Sequence, residues 1–263
     1  MKAYALSACV EWLFAEVADS IADRMRASAA AGIDAVEFWG WQTKDLGAIA
    51  AARRSTGVAI TSFIAEPRAQ LADPASHTQF LIGIDTSSRI ANELGAPHLV
   101  VMVGNSVDGV PVSVQLRHVA RALTAAADIA AERGIRLLIE PLNSRVDHPG
   151  RLIDRTSLAL EVLTEVGSPN VRLLYDIYHS VTMNESPSAL LPELAPYIGH
   201  VQIADVPGRH QPGSGTIDWH KELRALSAVG YGGRLGLEYR PLGDTDSSLA
   251  YIRQTLDEIQ SAD

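Results

Sequence analysis

The sequence predicts a (β/α)8 barrel folded as a single domain over residues 1–263. Three observations carry the prediction. Short apolar runs alternate with amphipathic stretches eight times, at a spacing of roughly 30 residues, which is the rhythm of repeated strand–helix units. The runs are continuously apolar rather than alternating, as strands of a parallel sheet covered on both faces should be. No Gly/Ser linker, low-complexity tract or charge block interrupts the chain, so nothing marks a domain boundary.

Taken in order, the predicted strands are Ala3–Ala8, Ala35–Phe38, Ala59–Ile64, His98–Val103, Arg136–Glu140, Arg172–Asp176, His200–Ala204 and Leu235–Tyr239. Each is short and most are rich in Val, Ile and Leu. Between them the helical pattern covers Ile21–Ala31, Leu46–Thr56, Thr78–Leu94, Val114–Arg133, Leu158–Glu165, Ser188–Leu194, His220–Ala228 and Ser248–Gln260. A recurring phrase joins the two: in TGVAITSF and RGIRLLIE a helix stops on Gly57 or Gly134 and a strand begins at once. The first strand is followed by VEWLF, with no G-x-G-x-x-G turn, which argues against a doubly wound nucleotide-binding sheet.

Composition narrows the function. Lys and Arg total 22 against 31 Asp and Glu, a net charge of −9, which disfavours nucleic acid and other polyanions. No apolar run approaches the ~18 residues of a membrane span, and the MKAYALSACVEW start has one basic residue and soon meets Glu11, so neither a membrane helix nor a secretory signal is expected. Cys9 is the lone cysteine, which excludes an internal disulfide and a cysteine zinc cluster. The expectation is a cytoplasmic protein acting on a small molecule, with no nucleic-acid or membrane partner.

In a barrel of this kind the active site forms at the C-terminal ends of the strands. Four consecutive predicted strands carry Glu140, Asp176, Gln202 and Glu238 at or near those ends. Three anions converging on one rim would repel one another unless a cation held them, and an all-oxygen set suits a hard divalent ion, Mg2+ or Mn2+, better than zinc. The alternative is a metal-free polar rim paired with Arg and Lys. Trp12, Trp39 and Trp41 cluster near the exits of strands one and two, as packing residues or as a wall over a substrate. Glu37 and Glu66, at or near the ends of strands two and three, read either as substrate ligands or as ion-pair partners of Arg68 or Lys44.

The stretch from Ile139 to Pro241 resembles the hydroxypyruvate isomerase family, within the xylose isomerase-like barrel superfamily. The resemblance rests on EPLNSRVDHPG, GSPNVRLLYDIYH, GHVQIADVPGRHQPGSGTIDW and GYGGRLGLEYRPLGDT, with AGIDAVEFW earlier in the chain. It implies that Glu140, Asp176, Gln202 and Glu238 ligate one divalent metal, that Glu140 and Glu238 are the catalytic acid/base pair, and that His179 and Arg209 bind substrate oxygens. It implies a metal-dependent isomerase that moves a proton between adjacent carbons through an enediolate, with hydroxypyruvate and 2-hydroxy-3-oxopropanoate as the expected pair. Gln202, where ketose 3-epimerases carry His, points to this branch. A ketose 3-epimerase or 2-oxo-tetronate isomerase is the nearest alternative, and a metal-dependent endonuclease or a non-catalytic sugar-binding barrel is remote. The resemblance also suggests a homodimer or homotetramer.

Overall fold

A computed structural model describes residues 4–261. Its elements follow in chain order: β1 Leu6–Cys9, α1 Ile21–Ala30, β2 Ala35–Gly40, α2 Leu46–Thr56, β3 Ala59–Ile64, α3 His77–Leu94, β4 His98–Val101, α4 Val112–Ala131, β5 Arg136–Ile139, α5 Thr156–Val166, β6 Val171–Asp176, α6 Ile177–Thr182, α7 Pro187–Leu194, β7 Ile198–Ile203, α8 Trp219–Ala228, β8 Leu235–Leu237, α9 Thr245–Ser248 and α10 Ala250–Ser261. The eight strands form a closed parallel barrel in sequence order, with β8 pairing back onto β1. This is the predicted (β/α)8 architecture.

Local chemistry sets the helix starts. Ser20, Asp45, Asp218 and Asp244 each accept a backbone N–H three residues on, at 3.1, 2.9, 3.1 and 2.8 Å, which satisfies donors that the first helical turn leaves unpaired. At the other end of α5, Gly167 takes φ +61° and its N–H returns to the Leu163 carbonyl, closing the helix where a side chain would be strained.

The sequence reading and the structure differ mainly at element ends: β1 begins at Leu6, β2 runs on to Gly40, β7 begins at Ile198, and the last predicted helix divides into α9 and α10. The start of the first predicted strand, Ala3, lies outside the described residues. The fourth and eighth strands end at Val101 and Leu237, two residues early, because the chain turns outward to build the site loops. A short helix, α6, springs directly from β6 and was not predicted. Its Ile177, Val181 and Thr182 are β-branched and weak helix formers; Asp176 starts it by accepting the Tyr178 N–H at 2.8 Å.

The main core lies between strands and helices. Inside the barrel, Ile64, Val100, Leu138 and Leu174 form a separate apolar cluster against Trp39 and Met102. These residues come from β3 to β6. The remaining strands point Glu37, His200 and Gln202 inward, all buried. The barrel interior is thus apolar on one side and polar on the other. Among the described residues no helix is long and apolar enough to cross a membrane.

Candidate active site

Strand alternation decides what faces the barrel axis. Cys9, Glu37, Trp39, Ser62, Ile64, Val100, Met102, Leu174, Gln202 and Glu238 sit at alternate positions on or just past their strands. Together they line a cavity of about 160 Å³. Glu140, one residue beyond β5, also faces it.

The four rim residues named from the sequence are brought to this end of the barrel. Asp176 and Gln202 are register partners on adjacent strands, and Gln202 pairs with Gly236, two residues before Glu238. Arg209 enters from the β7–α8 loop and bridges two carboxylates: its Nη2 donates to Glu238 Oε2 at 2.5 Å and to Asp176 Oδ2 at 3.2 Å. Glu238 Oε1 accepts the Trp39 indole N–H at 2.7 Å. Glu140 Oε1 and Gln202 Oε1 are buried acceptors with no hydrogen-bond partner among the described residues.

Burial raises the proton affinity of this cluster, and mutual repulsion adds to it. Glu140 is pushed well above the usual carboxylate range by desolvation, then by Glu238 and Asp176. Asp176 is raised to about 7 by desolvation, with Arg209 opposing and Glu238 reinforcing. Burial disfavours the charged form of Arg209, but Glu238, Asp176 and Glu140 outweigh it and hold the guanidinium protonated. Its backbone φ of +58° is unfavourable for a side-chain-bearing residue.

The tautomer of His179 follows from its neighbour. Asn143 Oδ1 accepts the N–H groups of Val146 and Asp147, both at 3.0 Å, so its amide nitrogen faces His179 Nδ1 at 2.6 Å. Nδ1 is therefore the acceptor and Nε2 bears the hydrogen. Nε2 points between Glu140 Oε1 at 3.6 Å and Asp176 Oδ2 at 3.5 Å. Burial, then the Arg209 charge, keeps the ring neutral by lowering its pKa well below the ordinary histidine value. Glu140, Asp176 and His179 each bring one ligand atom within 4.8 Å of the others, a spacing suited to a metal ion. With Nδ1 committed to Asn143, His179 serves as a hydrogen-bond donor and the cluster's available ligands are oxygens.

The sequence reading named Glu37 without its partners, and did not single out His200, Gly236 or Asp205. Glu37 accepts from His200 Nε2 at 2.7 Å and from Gln202 Nε2 at 2.8 Å, so it forms an ion pair with neither Arg68 nor Lys44. Lys44 pairs instead with Glu11 at 2.7 Å, and Glu66 accepts the Gln42 N–H. Gly236 clears the space this network needs: a Cβ there would lie 2.6 Å from Glu37 Oε1 and 2.8 Å from Gln202 Cγ. Asp205, fully buried, anchors the loop that carries Arg209 by accepting from Val206, Gly213 and Ile217 N–H and from Trp219 Nε1, at 2.8–3.1 Å. For Glu37 the invisible signal is a partner far away in sequence; for Asp205 it is the folding of its own loop back onto it.

The tryptophans divide. Trp12 packs edge-on against Trp39 at 5.1 Å, and the Arg209 guanidinium lies 5.0 Å from its ring. Trp41 donates to Ser87 Oγ at 3.0 Å and serves packing. Cys9 is buried, and desolvation followed by the charges of Glu238 and Glu37 raises its thiol pKa, leaving it a poor nucleophile.

Comparison with known proteins shows the family and the fold. The family model described as xylose isomerase-like TIM barrel matches residues 25–255. A human protein named "Putative hydroxypyruvate isomerase" is 32% identical, covering 95% of both chains. The 2-oxo-tetronate isomerase of Cupriavidus necator is 31% identical over 89% of this chain and 92% of its own. A crystal structure from Brucella melitensis described as an AP endonuclease, family 2, superposes with a TM-score of 0.88 at 30% identity, covering 95% of this chain and 98% of that one. The match from residue 25 to 255 and full-length kinship with isomerases lead to one conclusion: this chain belongs to the xylose isomerase-like TIM barrel family, and within it is an isomerase of the hydroxypyruvate isomerase group.

Proposed function

We propose that the protein is a metal-dependent isomerase of a short keto acid, with hydroxypyruvate and 2-hydroxy-3-oxopropanoate as the substrate pair. The observation that carries this reading is the pair of unpartnered buried oxygens, Glu140 Oε1 and Gln202 Oε1, on a rim that also holds Asp176 and Glu238. Buried acceptors without donors are costly, and a hard divalent cation, Mg2+ or Mn2+, is the group that this oxygen set would satisfy. Glu140, Asp176, Gln202 and Glu238 would hold it. When bound, the ion supplies Lewis-acid polarisation of a carbonyl oxygen and its neighbouring hydroxyl, which acidifies the intervening C–H.

The chain's own residues supply the rest. Glu140 and Glu238 rise from strands that are not neighbours, so they reach a substrate from different sides. One removes the proton next to the carbonyl and a proton is returned to the adjacent carbon, converting the hydroxyketone to the aldehyde. The His179 Nε2–H donates to substrate oxygen where negative charge develops, and its fixed tautomer means no reorganisation is needed. Arg209 holds the carboxylates in place and offers further donors to substrate oxygens. Trp39 walls the cavity, and Trp12 backs it edge-on.

Both curated relatives named above act, by their names, on substrates bearing a carboxylate, which favours a keto acid over a neutral ketose. A phosphodiester substrate is disfavoured by the net charge of −9 and by a rim in which His179 is committed to Asn143. The test is solvent deuterium exchange. Glu238→Gln should abolish incorporation into hydroxypyruvate while circular dichroism stays native; incorporation at the wild-type rate would contradict the assigned role.

A further inference from the structure

Two arginines in the cavity wall are paired with none of its carboxylates among the described residues. Besides Arg209, its wall contains Arg68, His148 and Arg151. Among the described residues neither Arg68 nor Arg151 forms an ion pair, although Glu66 lies two residues from Arg68 and Asp147 four from Arg151. Those carboxylates are taken: Glu66 accepts the Gln42 N–H and Asp147 accepts from Tyr178 and Asn143. The charge of Arg68 reaches Arg151. Burial, then Arg68, lowers the proton affinity of half-buried Arg151, with Glu140 opposing; burial, then Arg151, does the same to His148.

Their backbones are held firmly. The loops after β3, β4 and β5 are stitched together at the cavity mouth. Asn105 N donates to Gln70 Oε1 at 2.8 Å, Leu71 N to Val103 O at 2.9 Å and Ser106 N to Gly150 O at 2.9 Å, and Asn105 and Arg151 form an antiparallel bridge. Two like charges fixed at one mouth without counter-ions form a site for a small anion. Arg209 is spent on Asp176 and Glu238, so it is the less available clamp.

We propose that Arg68 and Arg151 form the subsite that binds the carboxylate of the substrate, on the side of the mouth built by the β3 and β5 loops. This deepens the isomerase reading and rests on it for the identity of the ligand. A carboxylate seated there makes charge-assisted hydrogen bonds to two guanidinium groups while the carbonyl end of the same molecule lies toward Glu140 and His179.

The test is calorimetric titration of the Mn2+-loaded protein with glycerate, an unreactive three-carbon acid, and with glycerol, its neutral counterpart. Wild type should favour glycerate. Arg68→Met and Arg151→Met should each weaken glycerate on the order of 10- to 100-fold and leave glycerol unchanged. Arg145→Met, on an exposed arginine in the same loop but outside the cavity lining, is the control and should change neither. Arg68→Lys should restore part of the loss. Glycerate binding that survives both Met substitutions overturns the subsite. Stronger arginine-dependent binding of glycerol phosphate than of glycerate overturns the carboxylate assignment in favour of a phosphate ester. Because binding is read without turnover, a protein that binds glycerate through these arginines yet isomerises nothing would refute the reaction and leave the subsite standing. Turnover of hydroxypyruvate that ignores both arginines would do the reverse.

Discussion

Glu37 accepts the side-chain N–H of Gln202 at 2.8 Å, and so turns the amide oxygen of Gln202 away from itself and leaves it unpartnered in the barrel. An amide left free would present nitrogen or oxygen equally. Glu37, itself fixed by His200, decides the matter. Glu37→Leu should therefore weaken Mn2+ binding roughly 10- to 100-fold, as loss of a partner that orients a ligand commonly does. Isothermal titration of the chelator-treated protein measures this; an unchanged affinity would mean that the amide orients itself.

Gly236→Ala gives an independent probe of the same network. The added methyl would meet Glu37, Gln202 and His200 at 2.6–2.8 Å. Overpacking of this kind costs about 1–3 kcal/mol. Chemical denaturation should report that loss together with weaker Mn2+ binding, and a variant as stable as wild type would show that the network yields easily.

His179 owes its protonation pattern to Asn143. Asn143→Leu removes the donor to Nδ1 along with two acceptor contacts to the backbone of the following turn. Stability should fall by about 1–3 kcal/mol from the unsatisfied groups alone. Nitrogen NMR of the imidazole should show the single Nε2–H tautomer of wild type giving way to a mixture, with kcat falling more than KM rises. A wild-type spectrum in the variant would remove Asn143 as the cause.

Metal-free protein should lose stability as pH rises. Asp176 titrates near 7 in the fold against 3.8 in an unfolded chain, and Glu140 shifts in the same direction. Between about 4 and 7 the native state binds a proton that the unfolded state has released, so each step upward in pH favours unfolding; above 7 the penalty is complete. Thermal melts in chelator should show wild type losing Tm over this window relative to Asp176→Asn, which has no carboxyl to titrate. Saturating Mn2+ should abolish the difference. Parallel melting curves for the two proteins in chelator would contradict the shift.

Much of this molecule was legible in its sequence. The eightfold alternation sufficed for the barrel because strand and helix periods are local properties, and strand ends carrying Glu140, Gln202 and Glu238 pointed to the cavity because barrels place their sites there, with Asp176 joined to it through Arg209. The parts that stayed hidden depend on contacts that the apolar pattern does not display. Glu37 read as a substrate ligand or an ion-pair partner of Arg68 or Lys44, and its actual partners, His200 and Gln202, lie 163 and 165 residues away. Asp205 was not singled out at all, and the loop that folds back onto it makes it the peg of the Arg209 loop. The helix after Asp176 was missed because its β-branched residues argue locally against it, and the cap and the packing of the β6 exit override them.

The central claim is that four rim oxygens gather a divalent cation without which the proton is not moved. Hydroxypyruvate should be followed by proton NMR in deuterium oxide, using protein stripped by chelator and then restored with Mn2+ or Mg2+. The account predicts no isomerisation and no deuterium incorporation in the stripped protein, and recovery on adding either ion. Full exchange in protein shown by elemental analysis to be free of metal would contradict it.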